Sequence, residues 1–170
     1  MDTAGARATR ALPEDVLATL AEIGEEISSS LNLDSVLGKV ASLVKRLMDS
    51  ETLGVLLLDP QTQTLSYRFA SGYRPEVVAS WRIPVGQGIP GLAAASRAPV
   101  RVADLREDSR HLDAVDVARS ELAVPLIFRD RVIGVLDVHS SRVDHFSQQQ
   151  EELLVLMASR LSVAIENARL

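Results

Sequence analysis

The chain contains no cysteine, so disulfides, thiolate catalysis, thioether-linked chromophores and thiolate metal sites are all unavailable to it. It has no excess of positive charge either. A net charge of −5 gives nothing in the global balance to draw it to nucleic acid or to an anionic lipid surface. Lysine is almost absent, with Lys39 and Lys45 the only two, and the remaining basic charge is arginine. Long apolar runs are missing: none approaches the ~20 residues that a membrane-spanning helix needs. The first ten residues carry two arginines but no apolar stretch behind them, unlike a secretory signal. These absences lead us to expect a soluble, cytoplasmic protein with no membrane and no nucleic-acid partner.

What remains is ordinary globular material: 170 residues, 46% hydrophobic and 24% charged, enough for one domain with a true core. Residues 1–11 read as a disordered tail and residues 12–170 as a single domain. Apolar residues at Leu12, Val16, Leu20, Ile23, Ile27 and Leu31 predict an opening helix with a heptad-like seam. A second helix is expected to start near Asp34 as N-cap and to bury Val36, Leu37, Val40, Leu43, Val44 and Leu47. Strands follow over 53–58 and 64–70, separated by a turn at Asp59-Pro60-Gln61-Thr62-Gln63. Residues 72–118 are irregular and rich in glycine and proline, with short helices and a short strand over 99–103.

The last third is the most regular part. Two almost continuously apolar strands, 120–128 and 132–140, flank a short Arg129-Asp130-Arg131 turn. Strands of that kind are covered on both faces. The final helix opens with Ser147 as N-cap and Gln150 three residues on, a capping box. Its stripe at Leu153, Met157, Leu161, Ala164 and Ala168 again has heptad spacing. The sum is an antiparallel sheet of five to six strands, with terminal helices on one face and the irregular segment on the other. A pocket is expected under the irregular cover, because loops over a sheet leave space that side chains do not fill.

Several chemical readings compete. Gly86-Gln87-Gly88-Ile89-Pro90-Gly91 matches G-x-G-x-x-G, but Pro84 interrupts the strand that a dinucleotide fold requires and the following helix is too short for a crossover. A turn into a short helix is the simpler reading, and its free N–H groups would suit an anion. Among His111, His139 and His145 no pair has helical ligand spacing, so neither a metal nor a haem site is expected. Asp137 lies within a strand buried on both sides and needs a partner; Arg101, Arg119 or a ligand are the candidates. The acidic loop Asp104-Leu105-Arg106-Glu107-Asp108-Ser109-Arg110 reads as a solvated, locally capped segment. Nothing resembles a nucleophile elbow or a serine–histidine–aspartate order, and no catalytic residue is assigned. Trp81, the only tryptophan, is either a satellite core residue or a pocket wall.

Read together, several segments resemble the GAF domain, a small-molecule-sensing and dimerising module of bacterial signalling proteins. They are Leu31-Asn32-Leu33-Asp34-Ser35-Val36-Leu37, Val85-Gly86-Gln87-Gly88-Ile89-Pro90-Gly91, Pro99-Val100-Arg101-Val102-Ala103-Asp104, Asp108-Ser109-Arg110, Ser120-Glu121-Leu122-Ala123-Val124-Pro125-Leu126, Val132-Ile133-Gly134-Val135-Leu136-Asp137 and Ala164-Ile165-Glu166-Asn167-Ala168-Arg169-Leu170. The resemblance implies an α+β, PAS-related fold whose sheet carries terminal helices on one face and a ligand pocket on the other. It also implies a homodimer formed through those helices, an unidentified small molecule, and a signalling output domain or protein as partner.

Departures from the family's patterns narrow the ligand. Cyclic-nucleotide-binding members carry Asn-Lys after the hairpin and Phe-Asp-Glu before the last helix; here those places read His139-Ser140-Ser141 and Phe146-Ser147-Gln148. Bilin-binding members need a cysteine for attachment, and members that reduce free methionine sulfoxide need catalytic cysteines. The expectation is therefore a sensor and not an enzyme, with no covalent chromophore, no haem and no cyclic nucleotide. Its ligand-binding residues are expected to be Phe69, Trp81, Gly88, Ile89, Asp104, Ser120 and Glu121, which border the irregular cover. The alternative is a structural dimerisation module whose pocket is filled by its own side chains.

Overall fold

The computed structural model describes residues 32–169, together with Glu14, Leu17, Ala18, Ala21 and Glu25. The expected tail over 1–11 and the seam from Leu12 to Leu31 lie outside the described residues. Helix α1 is Leu33–Met48, and its N-cap is Asn32, whose side chain accepts from the Ser35 N–H. The cap thus falls two residues before the expected Asp34, which sits in the first turn, where its charge complements the helix N-terminus. The expected face is the buried one, completed by Met48, while Leu47 is only partly covered.

Six strands form one antiparallel sheet: β1 (Leu53–Asp59), β2 (Thr64–Ser71), β3 (Ile83–Pro84), β4 (Val100–Val102), β5 (Ser120–Phe128) and β6 (Arg131–Ser140), in the order β3-β2-β1-β6-β5-β4. Two short helices, α2 (Pro75–Ser80) and α3 (Gly88–Ser96), and a 3-10 turn at Leu105–Glu107 lie in the irregular segment. The chain ends in α4, Gln148–Arg169, which opens with the reciprocal capping box: Ser147 Oγ accepts from the Gln150 N–H and Gln150 Oε1 accepts from the Ser147 N–H. No helix among the described residues is long and apolar enough to cross a membrane.

Strand alternation sorts the core onto two faces. Leu122, Val124, Leu136 and Val138 point to the helical side, where they pack with Leu37, Val40 and Val44 of α1 and Leu154, Met157, Leu161 and Ile165 of α4. Leu56, Leu65, Ala123 and Val135 point the other way, against Ile89 and Ala93 of α3 and Leu105. The β1–β2 pairing slips between Val55 and Leu56, so Phe69 opposes Val55 while Tyr67 opposes Leu56. The bulge places two residues of β2 that strict alternation would put on one face onto opposite faces. Phe69 therefore packs against the helix-side core, and Tyr67 joins the loop-side cluster.

Candidate functional site

The β5–β6 hairpin builds the site. Its register sets Glu121 directly opposite His139, and Ala123 opposite Asp137. The two-residue period then turns Glu121, Asp137 and His139 to the loop side together, with the small Ala123 leaving room among them. All three are buried, at 3%, 1% and 2% exposure. Glu121 Oε1 lies 3.4 Å from His139 Nε2, and Asp137 Oδ2 lies 3.9 Å from His139 Nδ1. Each of the three offers one ligand atom, and those atoms all lie within 4.8 Å of one another.

Neighbouring elements complete the shell. Tyr73, between β2 and α2, donates its hydroxyl to Asp137 Oδ2 at 3.1 Å and stands edge-on to the His139 ring at 5.6 Å. It reaches there because β1 carries Gly54, the strand partner of Asp137; a Cβ at that position would meet the Tyr73 hydroxyl at 2.8 Å. Thr52 Oγ1 accepts the backbone N–H of His139 at 2.9 Å and sits 3.0 Å from its Nδ1. From the cover, His111 Nδ1 approaches Glu121 Oε2 at 3.9 Å and is buried with no hydrogen-bond partner.

The electrostatics follow from burial. Desolvation pushes the Glu121 carboxyl up to about 7, the nearby Asp108 charge adding to the rise and a hydrogen bond with Asp137 opposing it. Asp137 is raised well above the carboxylate range, first by burial and then by the charge of Glu121. His139 is lowered by burial, which favours the neutral imidazole, and burial likewise lowers His111. Burial, then the Asp137 charge, keeps Tyr73 a phenol and hence a donor. Among the described residues nothing donates to Asp137 Oδ1, and a proton or a cation shared with Glu121 is what would satisfy it. Two acids and an imidazole without a compensating cation make a site ready for positive charge.

A cover of α2 and the segment 111–118 closes over this cluster. Val77, Ala114 and Val115 form a small apolar unit packed against Tyr67, Tyr73, Trp81 and Ala118. Arg74 clamps the two pieces together, donating to the Asp113 carbonyl and pairing with Asp116 at 3.5 Å.

Of the residues expected to line the pocket, Glu121 is at the centre. Trp81 and Ile89 lie in the loop-side core. Gly88 opens α3 with a φ of +64° beneath Leu112, whose side chain fills the space a Cβ there would need. Ser120 donates to the Arg142 carbonyl at 2.6 Å, and Asp104 is held by Arg119 at 2.9 Å, which keeps its carboxyl low. Phe69 is on the opposite face of the sheet because of the β-bulge. Neither of the arginines considered for Asp137 partners it: Arg119 is taken by Asp104, and the acid meets Tyr73, His139 and Glu121 instead. Tyr73, Thr52 and His111 were not anticipated. No histidine pair has helical ligand spacing, but the hairpin register brings Glu121, Asp137 and His139 together, a juxtaposition that spacing along one helix does not reveal. His145, the third histidine, stands apart from the cluster, with Nε2 2.7 Å from the Met48 carbonyl oxygen.

A family model described as "GAF domain" matches residues 30–166. The chain is 31% identical over 121 residues to the free methionine-R-sulfoxide reductase of Escherichia coli, covering 71% of this chain and 70% of that protein. The free methionine-R-sulfoxide reductase of Neisseria meningitidis, solved with its substrate, superposes with a TM-score of 0.79 at 25% identity over 94% of this chain and 95% of that one. A GAF domain from an Acinetobacter phosphoenolpyruvate-protein phosphotransferase gives the same TM-score at 28% identity, over 93% and 97%. The expectation that the chain stands apart from enzymes is overturned: relatives this similar include reductases. What the lack of cysteine does exclude is a thiol supplied by the chain itself. With the match spanning nearly all of the described residues and the six-stranded antiparallel sheet agreeing with the expected α+β architecture, the chain belongs to the GAF domain family.

Proposed function

We propose that this GAF domain binds a small free amino acid beneath the 111–118 cover, holding its ammonium group between Glu121 and Asp137. The observation that carries this reading is the buried acid pair itself, in which Asp137 Oδ1 has no donor among the described residues other than a proton shared with Glu121. An ammonium offers three donors and a full positive charge, which would satisfy both carboxyls at once. The relatives that act on free methionine-R-sulfoxide suggest a sulfoxide amino acid as the first candidate. Occupancy would be reported through α1 and α4, which pack on the far face of the same strands, and α4 leaves Val155 and Val163 exposed for a second copy or an output partner.

Titration calorimetry on metal-free protein tests this. Methionine sulfoxide is expected to bind, and its N-acetyl derivative, which has no ammonium, to bind at least tenfold more weakly. Equal affinity for the two would end the proposal.

The reductase relatives support a second reading: turnover with both electrons drawn from outside the chain. Two external thiols would become a disulfide while the sulfoxide becomes a thioether and its oxygen leaves as water. Glu121, held up to about 7, would supply a proton to that oxygen. The same protein incubated with dithiothreitol and methionine sulfoxide is expected to form methionine on this reading. Glu121→Gln should abolish that product, and failure of the wild type to form it above the buffer rate would dispose of turnover.

A further inference from the structure

We propose that Glu121, Asp137 and His139 also form a binding site for a divalent cation of the zinc class. This goes beyond the amino-acid reading and does not rest on it.

The argument starts from a distance. Glu121 Oε1 and His139 Nε2 are 3.4 Å apart, longer than a well-made N–H···O hydrogen bond. Two ligands each about 2.0–2.1 Å from a zinc ion and separated by the tetrahedral angle stand about 3.3–3.4 Å apart. The gap thus has the length of one edge of a zinc tetrahedron.

The imidazole is oriented for this role. Nδ1 lies 3.0 Å from Thr52 Oγ1, a hydrogen bond in which the tautomer decides which of the two donates. With the proton on Nδ1, the lone pair of Nε2 faces Glu121, and either a cation or the proton of an un-ionised Glu121 would bridge the two. A partner on the far ring nitrogen is the usual means of fixing a metal-binding histidine.

Asp137 supplies an independent sign. It is 1% exposed, its Oδ1 has no hydrogen-bond partner, and it lies within the cluster whose ligand atoms fall inside 4.8 Å. Tyr73 donating to Oδ2 leaves Oδ1 as the free oxygen. His111, whose buried Nδ1 lies 3.9 Å from Glu121 Oε2 with no hydrogen-bond partner among the described residues, stands beside the cluster. Two carboxylates and one imidazole nitrogen, with no sulfur, suit zinc and disfavour copper(I).

The test uses untagged full-length protein, stripped with EDTA and freed of chelator, with no amino acid present. Zinc chloride titration is expected to load one ion per chain, retained through gel filtration and counted by elemental mass spectrometry, with a rise in melting temperature. Asp137→Asn and His139→Gln, shown to be folded by circular dichroism, should each weaken zinc binding at least tenfold. His145→Gln should leave it unchanged. Loading that stays below one equivalent, or that survives in His139→Gln, would overturn the site; displacement by millimolar magnesium would overturn its zinc character. Because the amino-acid titration is run without metal and this one without amino acid, either proposal can fail while the other stands.

Discussion

The two faces of this sheet solve opposite problems. On the helical side, α1 and α4 meet β1, β5 and β6 through one continuous apolar cluster whose members are almost all aliphatic. On the loop side the apolar material is divided between a modest cluster under α3 and a small unit under α2, and the gap between them holds Glu121, Asp137 and His139. The first face is packed to be stable. The second tolerates buried ionisable groups that a well-filled core would exclude, and it closes them in with side chains and the clamp at Arg74. The same β-strands serve both faces, so a residue's function here is decided by the parity of its position along the strand.

The largest way to break this contrast is to open a hole on the helical side. Leu136→Ala or Leu161→Ala, each fully buried, should cost about 3–4 kcal/mol in urea denaturation, because cavity and transfer terms add. Leu56→Ala, equally buried but in the smaller loop-side cluster, should cost less; parity of the two losses would erase the distinction drawn here.

The next effect comes from Glu121. Its folded pKa is about 7 against an ordinary 4.5, so between those values the folded state holds a proton that the unfolded state has released. Stability contributed by this group is therefore highest below pH 4.5 and falls as pH rises to about 7. The loss is on the order of 3 kcal/mol for metal-free protein. Glu121→Gln should flatten that part of the stability profile, and an unchanged slope would mean the carboxyl is better solvated than its burial indicates.

Two smaller changes probe the loop side alone. Gly54→Ala brings a methyl within 2.8 Å of the Tyr73 hydroxyl. It should cost about 1–2 kcal/mol by overpacking and weaken ligand binding by displacing the Asp137 donor. Arg74→Ala removes partly exposed contacts and should change stability by less than about 1 kcal/mol. Its signature should be faster hydrogen exchange in residues 111–118, and protection as strong as in the parent would show that the apolar unit alone holds the cover.

The helical face was legible from the sequence because its signals are local. Periodicity located α1 and α4, and Ser147 with Gln150 announced the capping box that the structure contains. Five of the six strands could be read from their composition and the order of the turns, whereas the two-residue β3 at the sheet edge was hidden in the segment read as irregular. Half of the site was legible for a similar reason: Glu121 borders the cover, and Asp137 stood out as an acid in a buried strand. The other half depends on register. Pairing Glu121 with His139 requires counting back from the Arg129-Asp130 turn through the slip at Leu126/Ile127, and alternation alone does not reveal such a slip. Phe69 was assigned to the wrong side of the sheet by the same kind of event in β2. Tyr73 and His111 come from irregular backbone, where spacing carries no information about which side chains converge.

The central claim is that a buried acid pair on the loop face is the seat of ligand binding. Carbon-detected NMR titration of the Glu121 carboxyl, with and without methionine sulfoxide in metal-free protein, addresses it most directly. The account predicts a midpoint near 7 in the free protein, falling by more than one pH unit when the ligand's ammonium arrives. A midpoint near 4.5 that does not move with ligand would contradict it.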